Sequence, residues 1–237
     1  MPFFKSQNSS IHYEVYGEGY PVLLMAPGGM DSSIGRWQSA PLNLIELLQD
    51  HYMVVAMDQR NAGISDGKIS GMDGWHTYLS DQLNLMDYLG ADQFHVAGMC
   101  IGGAYALGLA QTAADRISSI VLLQPIGLDN NRYVFIEMFD EWVASIRHRR
   151  PEIDDAQWES FRDNMFGGDF VFSVDKVSVQ KCSVPILILS GNDLYHPASV
   201  SEAIAILAPN ASLIRHWKES ETPAASARIS AFLANPA

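Results

Sequence analysis

Short apolar runs separated by stretches of helical pattern set what this 237-residue chain can fold into. The runs are Val22-Leu23-Leu24-Met25, Met53-Val54-Val55-Ala56-Met57, Phe94-His95-Val96-Ala97, Ile120-Val121-Leu122-Leu123, Ile186-Leu187-Ile188-Leu189 and Ser212-Leu213-Ile214. Each is continuous rather than alternating, as in strands buried on both faces of a parallel sheet. In the stretch from Trp75 to Gly90, Trp75, Leu79, Leu83 and Met86 form a stripe with the helical period, and Leu89-Gly90 ends it. Helical patterns also cover about 41–49, 101–114, 198–207 and 223–234. Strand–helix alternation predicts an α/β fold with a mostly parallel, doubly wound sheet. "IHYEVYG" alternates instead, which predicts an antiparallel strand at the sheet edge.

Residues 129–176 break this rhythm, because they separate two core strands by far more than a crossover needs. Phe135, Phe139, Trp142, Trp158, Phe161 and Phe166 crowd this segment. Such density predicts a helical cap over an apolar pocket, with Phe135, Phe139 and Trp142 among the lining residues. The core is then 1–128 and 177–237, with 129–176 inserted as cap or lid.

A formal charge of -12 argues against nucleic-acid or anionic-membrane partners, which need a basic surface. No run of about 18 apolar residues is present, so no membrane insertion is expected. "MPFFKSQNSS" lacks the apolar core of a secretion signal, which predicts a cytoplasmic protein with Cys100 and Cys182 reduced. Neither cysteine has partners at metal-ligand spacing, so neither a metal nor a cofactor is expected.

The chemistry centres on Gly98-Met99-Cys100-Ile101-Gly102-Gly103, a tight turn between strand and helix. A nucleophile on such a turn is held up in a strained backbone conformation, and the flanking glycines let strand and helix approach. The helix N-terminus favours a thiolate. The Ile101 N–H would face the oxygen of a bound carbonyl. Taken alone, the same turn also suits a phosphate-binding loop or a buried, inert cysteine.

The rest of the chain resembles the α/β-hydrolase superfamily over nearly its whole length. "LLMAPGGMDSS" stands where that family has its oxyanion loop, with Pro27-Gly28 in place of the common His-Gly, which implies Gly29 as a donor. "MDQRNAGISDG" is similar to the family's D-x-R-x-x-G-x-S loop; there Asp58, Arg60 and Ser65 shape the turn. "PILILSGNDLYHP" supplies Asp193 at a late strand end, the family's place for the acid. "ASLIRHWKESETP" places His216 after the last strand, the family's place for the base, with Arg215 where glycine is usual. The order nucleophile, acid, base is that of the family. His196 competes for the base and is otherwise pocket wall, together with Met30 and Trp217. His95, inside the strand before Cys100, is expected in the core.

A cysteine elbow of this form is similar to those of dienelactone hydrolases and polyhydroxyalkanoate synthases. The loop after Asp58 and the aromatic cap look more like the esterase and lactonase branch. The resemblance implies a hydrolase of esters, lactones or thioesters with a Cys100-Asp193-His216 triad and a small, apolar acyl substrate. The alternatives are an acyltransferase with the same triad and a non-catalytic ligand-binding protein on this scaffold. Arg147-His148-Arg149-Arg150 is read as a solvated helix end, with binding of an anionic substrate group as the other possibility. The oligomeric state is not legible.

Overall fold

The computed structural model describes residues 1–6 and 8–236. Its strands are β1 (Phe3–Lys5), β2 (Ser9–Tyr16), β3 (Tyr20–Met25), β4 (Tyr52–Met57), β5 (Asp66–Gly67), β6 (Phe94–Met99), β7 (Ile117–Leu123), β8 (Ile186–Leu189) and β9 (Ala211–Ile214). Its helices are α1 (Leu44–Leu48), α2 (Trp75–Tyr88), α3 (Ile101–Thr112), α4 (Arg132–Ile146), α5 (Asp155–Phe166), α6 (Lys176–Gln180), α7 (Ala198–Leu207) and α8 (Thr222–Ala234). The sheet order is β1-β2-β4-β3-β6-β7-β8-β9, with β5 paired to β2. From β4 and β3 through to β9 all pairings are parallel, while β2 runs antiparallel to β1, β4 and β5. β2 is therefore not the edge strand expected from its alternation: β1 takes the edge.

Two apolar layers sandwich the sheet. One includes Tyr78, Leu85, Tyr105, Leu109 and Ile204 from α2, α3 and α7, and extends into α4 and α5. The other packs Leu44, Ile45, Ile229 and Leu233 of α1 and α8 under Val54, Val121 and Leu187. Cys100 touches both layers, because it sits where β6 ends and α3 begins.

The turns at the C-terminal end of the sheet are fixed by buried polar side chains. Asp58 accepts from the Ile34 N–H at 2.8 Å and the Ile64 N–H at 3.0 Å, and meets His12 Nδ1 at 2.9 Å. Ser65 donates to the Asp58 carbonyl at 2.9 Å. Arg60 grips both carboxylate oxygens of buried Asp81 at 2.7 and 2.8 Å. His95 contacts Ser119 Oγ at 2.8 Å within the core, and burial drives its pKa down to about 4. It is a neutral structural histidine.

The elbow leaves no room for side chains. A Cβ on Gly98 would stand 2.1 Å from the Gly102 carbonyl oxygen, and one on Gly102 would stand 2.2 Å from the Met25 carbonyl oxygen. Alanine normally favours a helix over glycine by about 1 kcal/mol. In Gly102→Ala that gain is outweighed, because the obstacle is the backbone of β3 rather than a flexible side chain. The substitution is expected to cost about 2–3 kcal/mol, read as a lower urea midpoint at unchanged slope. An unchanged midpoint would mean that the elbow has slack.

Candidate active site

Cys100 has φ 61° and ψ −120°, a strained conformation for a residue with a side chain. Its backbone is held on both sides: its N–H donates to the Leu123 carbonyl at 3.0 Å, and its carbonyl accepts from the Gly103 N–H at 3.0 Å. The thiol is half-buried at the end of a pocket of about 210 Å³. Gly28 and Ile101 line the pocket beside it, and their backbone N–H groups help to lower the thiol pKa. Gly28 (φ 123°) and Gly29 (φ 58°) adopt positive φ, which lets the loop after β3 curl toward the thiol. The sequence placed the loop's donor at Gly29. Gly28 and Gly29 both line the pocket beside Cys100, and the Gly28 backbone helps to lower the thiol pKa.

The histidine facing Cys100 is His196, not His216. His196 is buried, and its Nδ1 lies 2.7 and 2.9 Å from the two carboxylate oxygens of Asp193. Asp193 also accepts from the N–H groups of Tyr195 and His196, both at 3.0 Å. With the carboxylate at Nδ1, that nitrogen carries the proton and Nε2 is the free base. Nε2 is buried and makes no hydrogen bond of full geometry, yet the ring lies close enough to the thiol for each group to displace the other's titration. Burial would push the Cys100 thiol up. His196, then the Gly28 and Ile101 N–H groups, outweigh it, and the net shift is downward. Burial would push His196 down. Cys100 and Asp193 outweigh that, and its pKa rises. Partial burial works against the Asp193 carboxylate too, but His196 and the two N–H donors hold it below the usual range.

His216 is exposed and does not line the pocket. The cause is its neighbour. Trp217 is 2% exposed, packs with the α8 layer, and donates its indole N–H to the Ser190 carbonyl at 2.8 Å. Trp217 takes the buried position after β9, and Arg215 and His216 before it face solvent. Trp217 is thus a core residue, not pocket wall.

Among the other expected lining residues, Phe135 and His196 line the pocket. Met30 is buried against the core beside it without forming the wall. Phe139 and Trp142 point into an aromatic cluster with Trp158 and Phe161, with ring centroids 5.3–6.0 Å apart. That cluster packs the inserted helices together. Met138, Tyr195 and Ile126 line the pocket and were missed. Met138 had a signal, since it stands one helical turn from Phe135 on α4. Arg150 reaches Asp66 and the Asn61 side chain, and Arg147 pairs with Asp155, both away from the pocket. Cys182 is unpaired and half-buried, and burial raises its pKa.

Residues 21–166 match the family described as alpha/beta hydrolase fold. A 2-hydroxy-6-oxononadienedioate/2-hydroxy-6-oxononatrienedioate hydrolase of Comamonas testosteroni is 28% identical over 147 residues, 62% of this chain and 51% of that protein. A pimeloyl-acyl-carrier-protein methyl ester esterase of Legionella pneumophila is 31% identical over 112 residues, 47% of this chain and 41% of that protein. The chain spans about half the length of the curated relatives it matches. The crystal structure of an enol-lactonase from Burkholderia xenovorans LB400 is similar in fold, with a TM-score of 0.75 at 19% identity over 99% of this chain and 100% of that one. No helix among the described residues is long and apolar enough to cross a membrane. With the family match running from β3 to the end of α5 and the sheet order described above, this chain belongs to the alpha/beta hydrolase fold family.

Proposed function

We propose that the protein hydrolyses activated carboxylic acyl compounds (esters, lactones or thioesters) through an acyl-cysteine intermediate. The observation that carries this reading is the convergence on one strained residue. Cys100 shares one pocket with a buried histidine that has a carboxylate behind it, and with the backbone of Gly28 and Ile101.

In the first step His196 Nε2 takes the thiol proton and the sulfur attacks the substrate carbonyl carbon. A C–S bond forms and the carbonyl π pair moves to oxygen, where the N–H groups of the Gly28–Gly29 loop and Ile101 stabilise it. Collapse of this intermediate expels the alcohol or thiol, which leaves with the proton from His196. In the second step His196 takes a proton from water, and the hydroxide attacks the acyl carbon. The C–S bond breaks, the proton on His196 returns to the Cys100 sulfur, and the carboxylic acid departs. Asp193 fixes the imidazole tautomer and stabilises the imidazolium.

Sulfur sets a limit on the substrate. Thiolate leaves more easily than alkoxide, so the tetrahedral intermediate returns to reactants unless the substrate's own leaving group is good. Activated esters, lactones and thioesters meet that condition and amides do not. Residues 129–176 serve as the cap, with α4 supplying Phe135 and Met138 to the pocket wall.

A panel of p-nitrophenyl esters, lactones and thioesters, with mass spectrometry of the protein during turnover, tests this reading. The expected result is turnover with an acyl mass on the peptide containing Cys100. Turnover with no covalent adduct under rapid acid quench, or an adduct at Cys182 alone, overturns it.

A further inference from the structure

Resting on the acyl-cysteine reading, we infer that the site selects short, uncharged, unbranched acyl groups and rejects those ending in a carboxylate, with Met138 excluding branches beside the carbonyl. Three observations lead there.

The first is size. The pocket holds about 210 Å³. At about 30 Å³ for a water-sized group, that is room for about seven non-hydrogen atoms. An acyl chain of about four to six carbons fills it once imperfect packing is allowed for.

The second is polarity. Apart from Cys100, His196 and the glycine loop, the wall is Ile101, Ile126, Phe135, Met138 and Tyr195. No lysine or arginine lines it among the described residues. Arg147 and Arg150 are engaged elsewhere, with Asp155 and Asp66. An acyl group ending in a carboxylate would bury its charge unpaired. The mouth adds a second penalty. Tyr195 is 39% exposed there, and its phenol is pushed up first by burial and then by the negative field of Glu141 and Glu137. Both glutamates are exposed on α4, and the chain as a whole carries -12. An anionic substrate meets repulsion on approach and no cation inside.

The third is the wall beside the reacting carbonyl. Met138 lies against the oxyanion loop so closely that a Cβ on Gly29 would stand 2.5 Å from its sulfur. It closes the pocket over the glycines, directly beside the reacting carbonyl. Methionine is unbranched and fills irregular gaps, so truncating it opens space without disturbing a rigid neighbour.

Two measurements test this. In the first, kcat/KM is determined for p-nitrophenyl acetate, butyrate, isobutyrate, hexanoate and decanoate on the parent and on Met138→Ala. The parent is expected to peak at butyrate or hexanoate, to fall about tenfold or more by decanoate and to use isobutyrate about tenfold less well than butyrate, while Met138→Ala narrows the gap between butyrate and isobutyrate; an unchanged gap overturns the part given to Met138. In the second, Cys100 is alkylated with iodoacetamide in the presence of hexanamide or of adipamic acid, its counterpart with a terminal carboxylate. Hexanamide is expected to slow labelling at Cys100 about fivefold more than adipamic acid does, with Cys182 unaffected by either. A flat chain-length profile, or equal protection by the neutral and anionic compounds, overturns the inference. Protection requires no turnover. If no acyl adduct forms with any ester, the acyl-cysteine chemistry fails while the neutral–anionic difference still reads the pocket. If adducts form equally with every chain length, only the inference fails.

Discussion

Cys100→Ala is expected to lower ester turnover by about 10³-fold or more and to abolish the acyl adduct, with Cys182→Ala within about twofold of the parent. The two cysteines make an internally controlled pair. Both are unpaired and half-buried, and neither is near a disulfide partner. They differ in surroundings. Cys100 sits on a strained turn beside an imidazole and two N–H donors, which together lower its pKa. Cys182 follows α6 with only the Val184 carbonyl at 4.0 Å, and burial raises its pKa. Alanine at position 100 removes the nucleophile while fitting the same space. A loss of activity therefore reports chemistry, provided the urea midpoint stays within the range of the parent. Turnover retained in Cys100→Ala would leave water activated directly by His196 as the attacking group and would remove the covalent mechanism.

His196→Ala is expected to lower turnover by about 10²- to 10⁴-fold, and His216→Ala by no more than about twofold. The contrast is sharp because His196 is buried against Asp193 on the Cys100 pocket, whereas His216 is exposed. His196 also holds the Cys100 thiol down, so its removal has a signature that a loss of packing does not. The thiolate is the form that reacts with iodoacetamide, and it is present above the thiol pKa. In the parent, whose Cys100 pKa is lowered, labelling reaches its plateau at a pH below that for Cys182. In His196→Ala the inflection moves upward, because burial is then less opposed. His216→Ala leaves the profile where it was. Loss of activity in His216→Ala with a normal His196→Ala would return the base to the loop after β9.

These two substitutions mark where the sequence was readable and where it was not. The strands of the parallel sheet are legible because each is an unbroken apolar run, and burial on both faces leaves no other pattern. The elbow is legible because only glycine tolerates the approaches at Gly98 and Gly102. Asp193 is legible as the first carboxylate beyond β8. The base is not, because two forces act on neighbouring residues. His216 stands at the position the family resemblance implies, but β9 is half-buried throughout and exerts little hold on which side faces in. Next to it, the indole of Trp217 has more apolar surface to bury, and the Ser190 carbonyl satisfies its N–H. The signal for His196 was present in its spacing. Three residues after Asp193, at the end of a tight turn, is close enough for the two side chains to meet. In the inserted helices, aromatic content marked the segment but not its faces. Phe139 and Trp142 satisfy one another within the insertion, and Phe135 one turn earlier is left for the pocket.

The turn that carries both Asp193 and His196 closes on itself. The Asp193 N–H reaches the His196 carbonyl at 3.3 Å, and the His196 N–H returns to the Asp193 carbonyl at 3.1 Å. Gly191 lies so near that a Cβ there would stand 2.2 Å from the His196 carbonyl oxygen. Asp193 and His196 are thus held on one closed turn, and the elbow with its thiol is another piece. Aligning three groups contributed by three separate loops has three joints to hold. Here a single joint between two pieces remains, braced from behind by Trp217 on Ser190. The segment after β9 then enters that alignment through the Trp217 brace, with His216 left in solvent.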